Sequence, residues 1–144
     1  MSKETIGIAA DHGGFVLKRA IAEEIEAAGY QVLDLGTDSE KSVDYPDYAE
    51  KLVRAISDGN VNTGVLVCGT GIGISIAANR HMGIRAALCY DEETVVLARQ
   101  HNDANILCLG GRKTAESQAR QLVALFLDTD FEGGRHERRI EKLG

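Results

Sequence analysis

Val65-Leu66-Val67-Cys68-Gly69-Thr70-Gly71-Ile72-Gly73-Ile74-Ser75 carries an apolar, β-branched run into a glycine-rich turn and then into a helix-forming segment. The run reads as a strand buried on both faces, as in a parallel sheet covered by helices. Glycines at 69, 71 and 73 allow a sharp turn and a close approach of backbone to ligand. A thiol on the rim of such a turn sits near unpaired N–H groups at the positive end of a helix dipole. That setting favours a thiolate and stabilises a neighbouring oxyanion, which is what moving a proton beside a carbonyl requires.

The same alternation extends outward in both directions. Residues 5–10 read as a strand, after which Leu17, Ala20, Ile21, Ile25 and Ala28 recur at helical spacing until Gly29 ends the helix. Residues 31–35 form a second strand, and a polar loop through 37–42 leads to the only proline, Pro46. Tyr48, Ala49, Leu52, Val53 and Ile56 mark the next helix, closed by Asp58-Gly59-Asn60. Beyond the strand at 63–68 come a short helix over 74–79, a strand over 84–89, a helix over 91–100 and a strand over 105–109. Ala119, Leu122, Val123 and Phe126 are the buried stripe of another helix; residues 134–143 form a charged helical segment with little to bury against its own domain. The expected fold is α/β: a Rossmann-like, doubly wound, five-stranded parallel sheet flanked by helices, in one domain over 1–144.

Bulk properties exclude several functions. A net charge of −6 over 144 residues argues against a nucleic-acid binder. There is no basic-then-apolar leader and no apolar run long enough to span a bilayer, so no membrane partner is expected and the cytoplasm is the expected location. The three cysteines, Cys68, Cys89 and Cys108, form no C-x-x-C pair, which disfavours zinc ribbons and thioredoxin-type chemistry. Cys89 and Cys108 lie in apolar runs and read as small buried residues.

In open parallel sheets, ligands bind beyond the carboxyl ends of the strands. That rule selects Asp11-His12-Gly13-Gly14, Gly36-Thr37, Cys68–Gly73, Tyr90-Asp91 and Gly110-Gly111-Arg112. None matches G-x-G-x-x-G, the Cys68 loop lacks the P-loop lysine, and no arginine lies between Gly69 and Arg80 as a cysteine phosphatase requires. Either Asp11 caps a helix and the glycines make the turn, or Asp11 orients a hydroxyl and His12 binds an anion or handles a proton. Arg135 and Arg139 share a helix face, as a solvated charge pair or as a clamp for a phosphate dianion. His101, near a helix end, either interacts with the helix C-terminus or is the best candidate for proton transfer to a sugar ring oxygen, while His81 and His136 read as structural.

Together these segments resemble the type B ribose-5-phosphate isomerase family, which includes the galactose-6-phosphate isomerase subunits. The matching stretches are Ala10–Gly14, Asp44-Tyr45-Pro46, Cys68–Asn79, Gly83-Ile84-Arg85-Ala86, Arg99–Asn105 and Glu132-Gly133-Gly134-Arg135-His136. The resemblance implies an aldose–ketose isomerase working through an enediolate with no metal or other cofactor. Cys68 would be the base and His101 the ring-opening acid, with Asp11 and Thr70 orienting hydroxyls. Gly69, Thr70, Gly71, Ile72 and Gly73 would hold the oxyanion through their backbone, and Asn102 would touch substrate. His12, Arg112, Arg135 and Arg139 would hold phosphate. Members lacking the cysteine use a glutamate further along the loop; Ile74 in this stretch places the chain in the cysteine branch. The resemblance also implies a phosphosugar substrate and a homodimer or dimer of dimers with shared sites, the C-terminal helix reaching toward the partner subunit. The alternatives are a six-carbon phosphosugar, allose 6-phosphate or galactose 6-phosphate, and a non-catalytic phosphosugar-binding module, which would have no use for Cys68 or His101.

Overall fold

The computed structural model describes residues 4–144. The elements run β1 (Thr5–Ala10), α1 (Phe15–Ala27), β2 (Gln31–Asp34), α2 (Tyr45–Ser57), β3 (Thr63–Cys68), α3 (Ile72–Asn79), β4 (Ala86–Leu88), α4 (Glu92–Asn102), β5 (Ile106–Gly110), α5 (Glu116–Asp128) and α6 (Arg135–Glu141). All strand pairs are parallel, in the order β2-β1-β3-β5-β4. The expected α/β architecture is present.

The two faces divide by direction of travel. Leu17, Ile21 and Ile25 of α1, Val95 and Ala98 of α4, and Leu122, Val123 and Phe126 of α5 pack with one set of sheet residues, including Ile8, Val65 and Leu107. Leu52 and Val53 of α2 and Ile74 and Ala78 of α3 pack with the other set, including Ala9, Leu66 and Cys108. The helices α1 and α4 make the steps toward the β2 side, and α2 and α3 the steps away from it, so every crossover has one hand. The chain departs in opposite directions from β1 and β3, and the crevice at their carboxyl ends is the topological switch point.

Several boundaries differ from the periodicity, each for a local reason. α2 begins at Tyr45 rather than near Tyr48, because Pro46 occupies the first turn, where its missing N–H costs nothing. α3 begins at Ile72, two residues early, because Gly71 at φ 83° makes the entry turn. β4 shortens to three residues: its pairing with β5 begins only at Ala86 and ends at Leu88, although the Cys89 N–H still donates to the Cys108 carbonyl. The last helix is not idle against its own chain: α6 packs on α4 and buries His136. No helix among the described residues is long and apolar enough to cross a membrane.

Candidate active site

Three loops meet at the switch point. A Cβ on Gly13 would lie 3.0 Å from the Gly69 nitrogen, and one on Gly111 would overlap the Gly13 carbonyl oxygen. Glycine at these positions lets the loops after β1, β3 and β5 touch through bare backbone. The Arg112 guanidinium packs over Gly69, where an added Cβ would come within 3.0 Å of its Nη1.

Cys68 ends β3, and its Sγ accepts a hydrogen bond of 3.1 Å from the Gly71 N–H. Thr70 Oγ1 accepts from the Ile72 N–H at 3.1 Å, and the Tyr90 hydroxyl donates to the Thr70 carbonyl at 2.7 Å. The N–H groups of Thr70 and Gly73 have no partner among the described residues. The turn therefore presents free donors beside the sulfur, at the N-terminus of α3. Burial pushes the Cys89 and Cys108 thiols up, so neither competes as a nucleophile.

Asp11 does not cap α1. Its Oδ1 instead accepts from the Gly13 N–H at 2.9 Å, and Oδ2 is left without a protein partner among the described residues. His12 Nδ1 accepts from the Val43 N–H at 3.1 Å, which places the proton of the neutral ring on Nε2, a donor suited to an anion. Asp11, His12, Cys68, Gly69, Thr70, Gly71, Ile72, Gly73 and Arg112 thus share one edge. A cavity of about 570 Å³ lies beside them at the end of β2, where buried Lys18 is satisfied by Asp34 at 2.6 Å. It contains no candidate nucleophile.

The remaining expected residues sit elsewhere. α4 starts near Thr70 and runs back along the sheet for eleven residues, about 16 Å at the helical rise, leaving His101 and Asn102 at the opposite edge. The turn that follows is clamped there: the Arg99 Nη1 meets the Asp103 carboxylate at 2.9 Å, and the Arg85 Nε donates to the Asn102 and Asp103 carbonyls. Arg135 and Arg139 lie exposed on α6, beside His101. Arg112, Arg135 and Arg139 form no ion pair among the described residues, which leaves all three free for an anion. The expected site residues of one chain therefore fall into two groups, one at each end of its sheet.

Sequence reasoning left His136 as structural; the structure places it against His101. It stacks on His101 with ring centroids 4.4 Å apart and planes 15° apart, and Glu132 stands between the two Nε2 atoms. The only sequence signal was its place in the Glu132–His136 stretch, which no periodicity distinguishes from a solvated helix.

The family model for ribose/galactose isomerase matches residues 6–143. The chain belongs to that family. It is 44% identical to ribose-5-phosphate isomerase B of Escherichia coli, over 96% of this chain and 93% of that one. A solved ribose 5-phosphate isomerase from Thermotoga maritima superposes with a TM-score of 0.95 at 52% identity, covering 97% of each chain. The type B enzyme of Trypanosoma brucei does so at 0.95 and 46%, covering 98% of this chain and 97% of that one. The chain is thus an aldose–ketose isomerase by family.

Proposed function

We propose that this isomerase interconverts D-ribose 5-phosphate and D-ribulose 5-phosphate in a site completed by a second copy of the chain. The observation that carries the reading is the Gly71 N–H donated to Cys68 Sγ at 3.1 Å in a turn with unpaired amides. That donor fixes the position of the sulfur on the rim of the turn, and the remaining N–H groups are placed for an oxyanion.

His101 of the partner subunit protonates the ring oxygen as the C1–O bond breaks, and the anomeric hydroxyl proton passes to solvent. Cys68 then takes the proton from C2. The electron pair enters the C1–C2 bond and moves on to O1, which the loop amides hold. Transfer of the O2 proton to O1 and return of the first proton to C1 leave the carbonyl at C2. Asp11 and Thr70 orient hydroxyls, and Asn102 contacts the sugar. His12 and Arg112 of one chain hold phosphate with Arg135 and Arg139 of the other; two guanidinium forks suit a dianion better than point charges do.

The split site supports the second copy, because a single chain holds base and acid apart. The exposed side chains of Ile72 and Ile76 on α3, beside the Cys68 loop, supply the apolar surface such an assembly covers. A coupled assay on ribose 5-phosphate, ribulose 5-phosphate and allose 6-phosphate, with and without chelator, tests the reading. Preferred turnover of the five-carbon pair, insensitive to chelator, is the expected result. Preference for allose 6-phosphate would overturn the substrate, and no turnover of any sugar would overturn catalysis.

A further inference from the structure

The pairing of His101 with His136 has no role in the scheme above. The rings stack at 4.4 Å and 15°, from different elements: His101 closes α4, and His136 opens α6 after the turn at Gly133 and Gly134. The intervening strand of chain is tied back to α4, since the Glu132 N–H donates to the Gln100 carbonyl at 3.0 Å and the Arg99 Nε to the Thr129 carbonyl at 2.9 Å. Glu132 Oε1 consequently lies 3.9 Å from His101 Nε2 and 3.7 Å from His136 Nε2.

His136 is 5% exposed, and its Nε2 has no hydrogen-bond partner among the described residues. Leaving a buried polar atom unpaired is costly, so packing alone does not account for an imidazole here. Metal ligation does not account for it either. In-plane lone pairs of two nearly parallel rings 4.4 Å apart cannot meet at a point about 2 Å from both nitrogens.

We propose that His136 and Glu132 are positioning residues for His101: the buried ring fixes the plane of the acid, and the carboxylate takes the Nε2 side, leaving the other ring nitrogen to serve the sugar. The inference rests on the isomerase reading of His101. Burial, the His101 ring, and Arg135 and Arg139 on α6 hold the His136 proton affinity down, with Glu132 opposing them. That direction favours the neutral form of the buried ring, while the His101 side chain remains open to solvent.

The test separates ring opening from proton transfer at carbon. Ribulose 5-phosphate has no ring to open, so deuterium uptake at its C1 in heavy water, followed by NMR, reports Cys68 and the loop alone. In the full-length protein, His136→Ala and Glu132→Gln are expected to slow conversion of ribose 5-phosphate about 10- to 100-fold, the scale of a misplaced catalytic group, with C1 exchange on the ketose retained. His136→Phe, which restores a flat partner, is expected to recover the conversion lost in His136→Ala. Equal losses in both assays, unchanged aldose conversion, or failure of the phenylalanine rescue would overturn the positioning role. If the unmodified protein exchanges no ketose proton, the isomerase reading falls and this inference falls with it.

Discussion

Cys68 and His101 stand at opposite ends of one sheet, joined through the length of α4; Tyr90, just before the N-cap of that helix, donates its hydroxyl to the Thr70 carbonyl in the Cys68 loop. No side-chain rotation brings them together. If base and acid act on one sugar, they come from two chains. Mixing Cys68→Ala and His101→Ala subunits then restores one intact site per heterodimer. Statistical pairing of two inactive variants is expected to recover about a quarter of the unmodified activity in the co-expressed mixture, and about half in the heterodimer isolated through two different tags. Recovery of nothing would place both residues of a working site in the same chain.

The base assignment rests on one sulfur. Cys68→Ala is expected to lower kcat about 10²- to 10⁴-fold, the range of a positioned general base, with the far-ultraviolet circular dichroism unchanged. Iodoacetamide is expected to modify residue 68 in preference to Cys89 and Cys108, whose thiols burial pushes up, and saturating substrate is expected to slow the reaction. Peptide mass spectrometry reads both outcomes.

Gly71 makes the turn that aims an N–H at sulfur. It sits at φ 83°, and a Cβ there would come within 2.6 Å of Leu88 Cδ1 and 2.9 Å of the Leu109 carbonyl. Gly71→Ala is therefore expected to displace the loop and cost about 10²–10³ in kcat, as loss of an oxyanion donor does. Substrate KM is expected to change far less, because the phosphate-side arginines lie outside the turn.

The core makes its own demand. Leu52 is fully buried, and its methyl groups fill the space above Gly7 and Gly64, which face each other across β1 and β3. Leu52→Ala leaves that space empty and is expected to cost about 2–5 kcal/mol, measured by urea unfolding with an unchanged m-value.

Acid should weaken the fold through His136. Its folded-state pKa is lowered, first by burial and then by His101 and Arg135, so the unfolded chain binds the proton first. The stability it contributes is present above the ordinary histidine value, about 6.5, and is lost as pH falls below it. The groups facing it are His101 from α4, Glu132 from the preceding loop, and Arg135 and Arg139 from its own helix. The Tm of the unmodified protein is expected to drop more between pH 7.5 and 5.5 than that of His136→Phe. Equal drops would show that His136 does not carry the effect.

Much of the fold was legible because its signals are local. Apolar runs such as Val65–Val67, helical stripes such as Leu122, Val123 and Phe126, and glycines at the strand ends each reveal an element within a few residues. The rule that ligands lie beyond strand carboxyl ends then collected Asp11, His12, Cys68, Thr70 and Arg112 at one edge without any coordinates. Helix starts were less legible, because Pro46 and Gly71 open α2 and α3 through backbone constraints that hydrophobic periodicity does not register.

The chain alone determined which residues offer a thiol, an imidazole or positive charge, and which of them follow strands. Tertiary structure decided where those residues stand relative to one another. The strand order β2-β1-β3-β5-β4 and the antiparallel run of α4 separate His101 from Cys68, while the turn at Gly133 and Gly134 returns α6 to lay His136 on His101. Such pairings join segments far apart along the chain, and they follow from how whole elements pack, which no local pattern of residues encodes.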